Sequence, residues 1–598
     1  LTLGLCMIVK NEEENLPRCL ESIKDIVDEI IIVDTGSTDS TVKIAESYGA
    51  KVFFYEWDNS FANARNFSLE KSSKDWILIM DADDELRRED RDKVIYLVND
   101  KNNNVDIYFG ETLSYVGETP GSDIYTNLNV RFIKNGKGIK FKGDIHEQIV
   151  FENKGDNVQL VDVKFYHYGY LNKTVEVKNK RKRNMEIIQK ILKDNPKDSF
   201  MLYNMGTEYV AMGNFLEALN CYKKSYENFN PHLVTFNSKL ILKMIYCYEV
   251  LGQFKEEIEL INEGLKYYPE FTELEFRRAM AFYNRKKYDL AVEALKKCID
   301  MGEPPAVFRD LSGVGSYRAY YLMGLIHFDR ENYDDAYKYL DMALKLNSKF
   351  TEAILKISQI MFIKNFSVDE IESKLESYFN GNLDENNNLL LSDIFYSKNK
   401  FDIAYKYADR SENYKTHSPK VNYYKGILLF YQRKFKEALD SLAKVELGGF
   451  YSKSVYYSIL CEIFNNQYSN ADKLLDIAKN FNENEKTIVY KTFKDIMQGN
   501  KYSPIAEDKE SSIKFLHPIF DLLEIILKSN SFDEFEKAVQ LLNLINDDSI
   551  LLLLGKLYYK KGYFEFAYKE FIRSIKIYEK IDIEALEMMK LILTCKEI

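Results

Sequence analysis

An α/β domain followed by an all-α helical solenoid is the architecture this sequence predicts, and three observations carry it. Short apolar runs alternate with amphipathic stretches from Leu1 to about Tyr170. After about Ser199 helical periodicity takes over, and a unit of about 34 residues recurs. The chain is 598 residues long, several times an ordinary single domain, so more than one hydrophobic core is expected.

The apolar runs at 3–9, 29–33, 52–55 and 76–80 read as buried strands, with helical segments between them at about 13–23, 41–48 and 63–71. This β-α-β alternation implies a mainly parallel sheet covered by helices on both faces. Ligands in such sheets sit beyond the carboxyl ends of the strands. Attention therefore falls on Lys10-Asn11-Glu12, on Asp34-Thr35-Gly36-Ser37-Thr38-Asp39 and on Asp81-Ala82-Asp83-Asp84-Glu85, each directly after a strand.

In the second region Gly206, Tyr209, Gly213, Phe215, Ala218 and Tyr222 define one copy of the unit, and Gly555, Tyr558, Gly562, Phe564, Ala567 and Phe571 repeat its spacings. Gly324, Tyr333, Ala336 and Leu340 mark another copy, as do Gly426, Phe435, Ala438 and Leu442; weaker copies fall at about 238–271, 272–303, 385–416 and 452–483. The pattern resembles the tetratricopeptide repeat, in which small residues let two helices approach and aromatics fill the gaps between hairpins. The expected domains are 1–175 (catalytic), 176–198 (a linking helix and basic segment) and 199–598 (the solenoid).

Composition bounds the function. At 46% hydrophobic and 29% charged residues the chain is that of a soluble globular protein. Its net charge of −11 argues against general attraction to nucleic-acid phosphates. The seven cysteines stand singly, without the close pairs of a zinc or redox motif. No apolar stretch approaches the roughly 18 residues of a membrane span, and no signal-peptide pattern opens the chain. A cytoplasmic location is the expectation.

In Asp81-Ala82-Asp83 two carboxylates leave the end of a buried strand together. Such hard oxygen ligands suit Mn²⁺ or Mg²⁺ bridging protein to substrate phosphate, where the ion would neutralise charge building on a diphosphate leaving group. An acidic helix start accounts equally well for the triplet by itself.

The order of four segments is more specific. Met7-Ile8-Val9-Lys10-Asn11-Glu12-Glu13, then Ile32 to Thr41, then Phe61-Ala62-Asn63-Ala64-Arg65-Asn66, then Asp81 to Glu85, resembles family 2 glycosyltransferases of the GT-A fold, over about the first 170 residues. By that resemblance Glu12 and Asp34 would contact the uridine, Arg65 the nucleotide or diphosphate, Asp81 the ribose or a metal-bound water, and Asp83 the metal. Thr35 departs from the pattern, since many members carry a second aspartate there that reaches the uracil.

Gly143-Asp144-Ile145-His146-Glu147-Gln148 and Tyr166-His167-Tyr168-Gly169-Tyr170 resemble the distal part of the same family subset. Glu147, with Asp144 second, is the candidate base that takes the acceptor proton. His167 would complete the metal sphere, and His146 would position the base or touch the donor. The run Lys178-Asn179-Lys180-Arg181-Lys182-Arg183 reads as a solvated helix face, with a flap over the diphosphate as the alternative.

The resemblance implies direct displacement with inversion at the anomeric carbon. UDP-N-acetylglucosamine is the first donor choice and UDP-glucose the second. The solenoid favours a protein acceptor, and the resemblance to bacterial two-domain enzymes of this kind implies Ser or Thr hydroxyls of flagellin or a similar surface protein. Transfer to a peptide cysteine or to a glycan is the alternative within the enzyme class. A repeat scaffold with a degenerate nucleotide-binding domain is the alternative outside it.

Overall fold

The first apolar run is an almost wholly buried strand, β1 (Leu3–Val9). Strands β2 (Glu29–Asp34) and β3 (Lys51–Phe54) add to it in parallel on one side, and β4 (Trp76–Ile79) on the other. Helices α1 (Leu16–Ile23), α2 (Thr41–Ser47) and α3 (Phe61–Lys71) make the crossovers. Helix α1 carries Pro17 in its first turn and buries Leu16, Cys19, Leu20 and Ile23, one face at helical spacing. Ser60 caps α3 by accepting the Asn63 amide at 3.4 Å, a bond type worth about 1 kcal/mol. The computed structural model describes residues 1–100, 104–116, 123–150, 157–169, 176–227, 229–230, 233–379, 381, 383–411, 419–446 and 448–595.

Past β4 the sheet changes character. After β5 (Asp84–Leu86) and α4 (Arg91–Asn99) come two long strands, β6 (Ile107–Val116) and β7 (Asp123–Lys134), a small pair, β8 (Lys140–Lys142) and β9 (Gln148–Val150), and then β10 (Val158–His167). The main sheet runs β3-β2-β1-β4-β7-β6-β10-β5. Strand β7 is antiparallel to both β4 and β6, and β5 is antiparallel to β10. The expected parallel sheet is thus the first half of a mixed one: β6 and β7, consecutive and close in sequence, pair antiparallel, and β7 joins the parallel half antiparallel to β4.

Helix α5 (Glu176–Asp194) follows. The basic run 178–183 lies in it, but its side chains fall outside the described residues, as does Tyr170. Four hairpins succeed it: α6 (Ser199–Ala211) with α7 (Phe215–Tyr226), α8 (Val234–Val250) with α9 (Phe254–Tyr267), α10 (Thr272–Tyr283) with α11 (Tyr288–Met301), and α12 (Tyr317–Asp329) with α13 (Tyr333–Leu346). The signature glycines sit where the two helices touch. A Cβ on Gly206 would lie 2.5 Å from the Tyr222 ring, and one on Gly324 2.6 Å from Leu340.

By packing, the chain divides into two units, Leu1–Ile371 and Glu372–Ile598. The second unit repeats the hairpin pattern, with Gly426 against Leu442 and Gly555 against Phe571. Among the described residues no helix is long and apolar enough to cross a membrane.

Within the first unit the repeats and the sheet pack on each other. Ile145 shares a buried cluster with Ile188 of α5 and Met201 of α6. The segment between α11 and α12 departs from the repeat spacing and reaches β6 and β7. There Arg309 contacts both Glu111 carboxylate oxygens at 3.1 Å, the Asp310 carbonyl accepts the Thr126 amide at 2.8 Å, and Leu311 bridges to Tyr125. Lys239 of α8 joins the same junction, bonding the Asp310 carboxylate and, at 3.1 Å, the Thr126 carbonyl.

Candidate active site

The carboxyl end of β4 delivers Asp81 and Asp83, and the turn into β5 delivers Asp84. Strand β5 pairs with β10 so that Asp84 stands opposite His167. That register places the imidazole at the acidic turn: His167 Nδ1 lies 3.0 Å from Asp84 Oδ1 and 3.4 Å from Asp83 Oδ1. On its other side Asp84 accepts Arg131 Nη1 at 2.6 Å and the Asp81 amide at 3.0 Å. Asp84 is only 1% exposed and Arg131 3%, so this is a buried ion pair.

Asp83, Asp84 and His167 each offer a ligand atom, all within 4.8 Å of one another. Their surroundings separate the roles. Both Asp84 oxygens are already engaged by Arg131 and His167, which makes Asp84 an orienting carboxylate behind the imidazole. Asp83 and His167 also converge at a second place: a Cβ built on Gly169 would lie 2.3 Å from Asp83 Oδ2 and 2.8 Å from His167 Nε2. One carboxylate oxygen and one imidazole nitrogen therefore approach a common point that only glycine leaves clear. The donor set fits Mn²⁺ or Mg²⁺, with the remaining positions left to water and substrate oxygens.

The electrostatics agree with this division. Burial pushes Asp83 up to about 6; His167 pulls it down, while the Asp81, Asp84 and Glu12 carboxylates push it further up. Burial would raise Asp84 too, but Arg131 and His167 outweigh it and hold the carboxyl well below its usual range. His167 is lowered by burial and raised more by its bond to Asp84 and by Asp83, and ends above its ordinary value. The acids of this turn are crowded, and a divalent cation would relieve them.

Arg65 ties a second group of predicted residues to this turn. From α3 it donates Nε to Glu147 Oε1 at 2.5 Å and Nη2 to Asp81 Oδ1 at 2.8 Å. Its burial opposes the charge, but Asp81 and Glu147 outweigh that and keep it protonated. The structure thus unites Arg65, Asp81, Asp83, Glu147 and His167. Asp144 and His146 lie in the same segment as Glu147 but are exposed; the Asp144 carbonyl accepts the Phe61 amide at 3.1 Å, and His146 holds a left-handed turn at φ 52°.

Glu12 and Asp34 occupy the neighbouring strand ends. Glu12 accepts Asn15 Nδ2 at 2.9 Å. Asp34 bonds the Gly36 and Ser37 amides at 3.0 Å and so folds its own loop. Thr35 is buried, its hydroxyl on the Val9 carbonyl at 3.1 Å.

A cleft of 440 Å³ opens beside Asp81, Asp84, Arg131 and His167, crosses Asn127 and Asn129 of β7, and is closed by Phe200 and Tyr203 of α6 and Phe236 and Lys239 of α8. The first repeats therefore supply one wall of the site. Arg131 and these four residues lie outside the motifs that the sequence displays. Arg131 carried a signal, a lone cation between Val130 and Phe132 in an alternating strand; the wall residues carried none, since only tertiary packing brings them there.

The glycosyl transferase family 2 model matches residues 5–151, and the tetratricopeptide repeat model matches 201–228 and 317–350. The amino-terminal domain is a family 2 glycosyltransferase domain. A tetratricopeptide repeat-containing protein of Synechococcus elongatus is 30% identical over 38% of this chain and 57% of its own length. The SPbeta prophage-derived glycosyltransferase SunS of Bacillus subtilis is 30% identical over 38% of this chain and 54% of its own. An uncharacterized glycosyltransferase of Rickettsia typhi is 34% identical over 27% of this chain and 59% of its own. The matches thus span between 54% and 59% of these relatives' lengths. The fold is a GT-A-like mixed sheet with covering helices, joined to tetratricopeptide repeats.

Proposed function

We propose that the protein is an inverting, divalent-metal-dependent glycosyltransferase that moves a sugar from a UDP donor to a protein acceptor. The observation that carries this reading is the convergence of Asp83 Oδ2 and His167 Nε2 beside the Arg65–Asp81–Glu147 chain. N-acetylglucosamine from UDP-N-acetylglucosamine is the first choice of sugar, Ser or Thr hydroxyls of a protein such as flagellin the first choice of acceptor, and the cytoplasm the place. The sequence limits 1–175, 176–198 and 199–598 divide catalysis, link and recruitment, and the repeat wall of the cleft favours a polypeptide acceptor over a small one.

Asp83 and His167 would hold Mn²⁺ or Mg²⁺, which when bound supplies positive charge to the diphosphate leaving group. Asp84 and Arg131 fix the imidazole ring. Glu12 and Asp34 at the strand ends border the uridine, and Arg65, with Asp81, borders the ribose and diphosphate. The acceptor hydroxyl attacks the anomeric carbon from the face opposite the diphosphate. The new carbon–oxygen bond forms as the bond to UDP breaks, and the hydroxyl proton passes to Glu147, whose Oε1 is held by Arg65 and whose Oε2 is the basic atom. Asp144 is the second candidate for that proton and His146 a neighbour that positions the segment.

A thermal-shift screen of nucleotide sugars with Mn²⁺ tests the reading. A true donor at about a hundred times its Kd stabilises the fold by about 2.7 kcal/mol, and chelator removes the effect. Failure of every nucleotide sugar to stabilise the protein overturns it. Glu147→Gln keeps donor binding and slows transfer about 10²–10⁴-fold; unchanged transfer moves the role to Asp144.

A further inference from the structure

The second unit holds an open cavity of 290 Å³ that shares no residue with the site described above. Tyrosine rings make its walls: Tyr396, Tyr423, Tyr431, Tyr456, Tyr457 and Tyr490. Three hydroxyls gather there, Tyr396 donating to Tyr431 at 3.4 Å and Tyr431 sharing a bond with Tyr457 at 3.1 Å. A hydroxyl can turn its proton from a neighbouring oxygen to a ligand.

Three lysines and two carboxylates also line the cavity, and their pairing is unequal. Lys486 bonds Glu483 at 3.1 Å, Asp521 is held by His517 at 2.9 Å, and Glu524 by Lys561 at 2.7 Å. Lys453 and Lys528 have no carboxylate partner among the described residues. The Lys528 ammonium instead sits 3.3 Å from the centroid of the Tyr396 ring and 5.4 Å from that of Tyr431. Ring faces attract a cation without neutralising it. Desolvation pushes this amine down to about 8, Lys561 adding to the effect and Glu524 opposing it.

We propose that this tyrosine-walled cavity is a second binding site, which takes a carboxylate side chain of an extended acidic peptide segment. Lys528 and Lys453 supply the charge and the Tyr457 hydroxyl a hydrogen bond. A neutral sugar suits aromatic walls but leaves both ammonium groups uncompensated. A carboxylate meets an ammonium and a phenol at once, and such charge-assisted bonds are about twice as strong as neutral ones. Stacked repeats present extended surfaces suited to a peptide strand. The site is independent of the activity proposed for the first unit.

The test uses the full chain and a fluorescein-labelled decapeptide of alternating glutamate and alanine, with the glutamine counterpart as control. Fluorescence anisotropy should show the glutamate peptide binding at least about tenfold tighter, a difference of about 1.4 kcal/mol. Lys528→Met should weaken it by about fivefold or more, since methionine keeps the packing on Tyr396 and removes a desolvated charge. Tyr457→Phe keeps the ring and should weaken it by about twofold or more, while Lys537→Met, at an exposed lysine elsewhere on the unit, leaves it unchanged. Equal affinity for the two peptides, or unchanged affinity in both cavity variants, overturns the proposal. Displacement of the peptide by inorganic phosphate at low concentration overturns the peptide assignment in favour of a phosphoryl group.

Discussion

Two acidic turns stand at the carboxyl ends of β2 and β4, the strands that flank β1, and they use their carboxylates in opposite ways. In the first, Asp34 bonds the Gly36 and Ser37 amides, and Asp39 takes the Thr41 hydroxyl at 2.5 Å and its amide at 3.0 Å. Burial would raise Asp39, but the Thr41 bonds outweigh it and hold the carboxyl below its usual value. In the second, Asp83 faces other acids and is raised to about 6. A carboxylate spent on local amides builds a loop; one crowded against its own kind waits for a cation. Asp84 stands between these cases, a buried acid satisfied by Arg131 and His167 together with the Asp81 amide.

The comparison can be broken most severely at Asp84. Asp84→Asn leaves Arg131 buried without its counter-charge, and breaking one partner of such a pair costs about 3–5 kcal/mol. Denaturant unfolding should register that loss, and Mn²⁺ affinity should fall with it as His167 loses its orientation. A stability change under 1 kcal/mol, an order-of-magnitude threshold well below the buried-pair range, would show that Asp84 acts otherwise.

Asp83→Asn should separate site from fold. Metal affinity should fall by more than the roughly 10–100-fold expected for an outer-shell partner, with UDP release falling in step. Stability of the metal-free protein should hold or rise. The sign follows from linkage: an acid raised in the folded state binds more protons there than when unfolded, so falling pH adds stability between about 6 and the ordinary carboxylate range. Melting curves in chelator from pH 7 to 4 should carry this contribution in the parent protein and lose it in Asp83→Asn. An identical pH slope in both would refute the crowding.

The smaller effect belongs to the first turn. Asp39→Ala removes bonds to Thr41 and should cost about 1 kcal/mol, as for a lost helix cap, with Mn²⁺ affinity unchanged. Because the Asp39 carboxyl is lowered in the fold, its contribution is present above its unfolded value and lost as pH falls through the folded one. Acid melts of the variant against the parent check that slope, and altered metal binding would contradict the loop-building role.

Much of this contrast was legible before any coordinates. Strands β1 to β4 announce themselves as apolar runs, and the polar residues following them form the turns at the carboxyl edge of the sheet, where Asp34, Thr35 and Asp84 are nonetheless buried. The acidic turn at 81–85 was visible too, but the separate tasks of Asp83 and Asp84 were not: they are chain neighbours, and only the pairing of β5 with β10 turns one to the open side and one to Arg131. The second half of the sheet was hidden because β6 and β7 mix polar residues with apolar ones, as in 107–116, where Gly110, Glu111, Thr112 and Ser114 interrupt the run. Four glycines of the repeats read easily, since Gly206, Gly324, Gly426 and Gly555 each touch a large side chain sixteen positions on, as Gly206 does Tyr222.

The segment carrying Arg309, Asp310 and Leu311 bears on how such a chain can be recombined. A designer wishing to give this transferase domain a different repeat array would look for a seam just ahead of Ser199, where the sequence changes type. That cut would strip β6 and β7 of Arg309 and Leu311, uncover Ile145 and remove the aromatic side of the cleft. The hairpins from α6 to α13 belong with the transferase domain in the unit Leu1–Ile371, so a seam for exchanging repeats falls no earlier than the end of that unit.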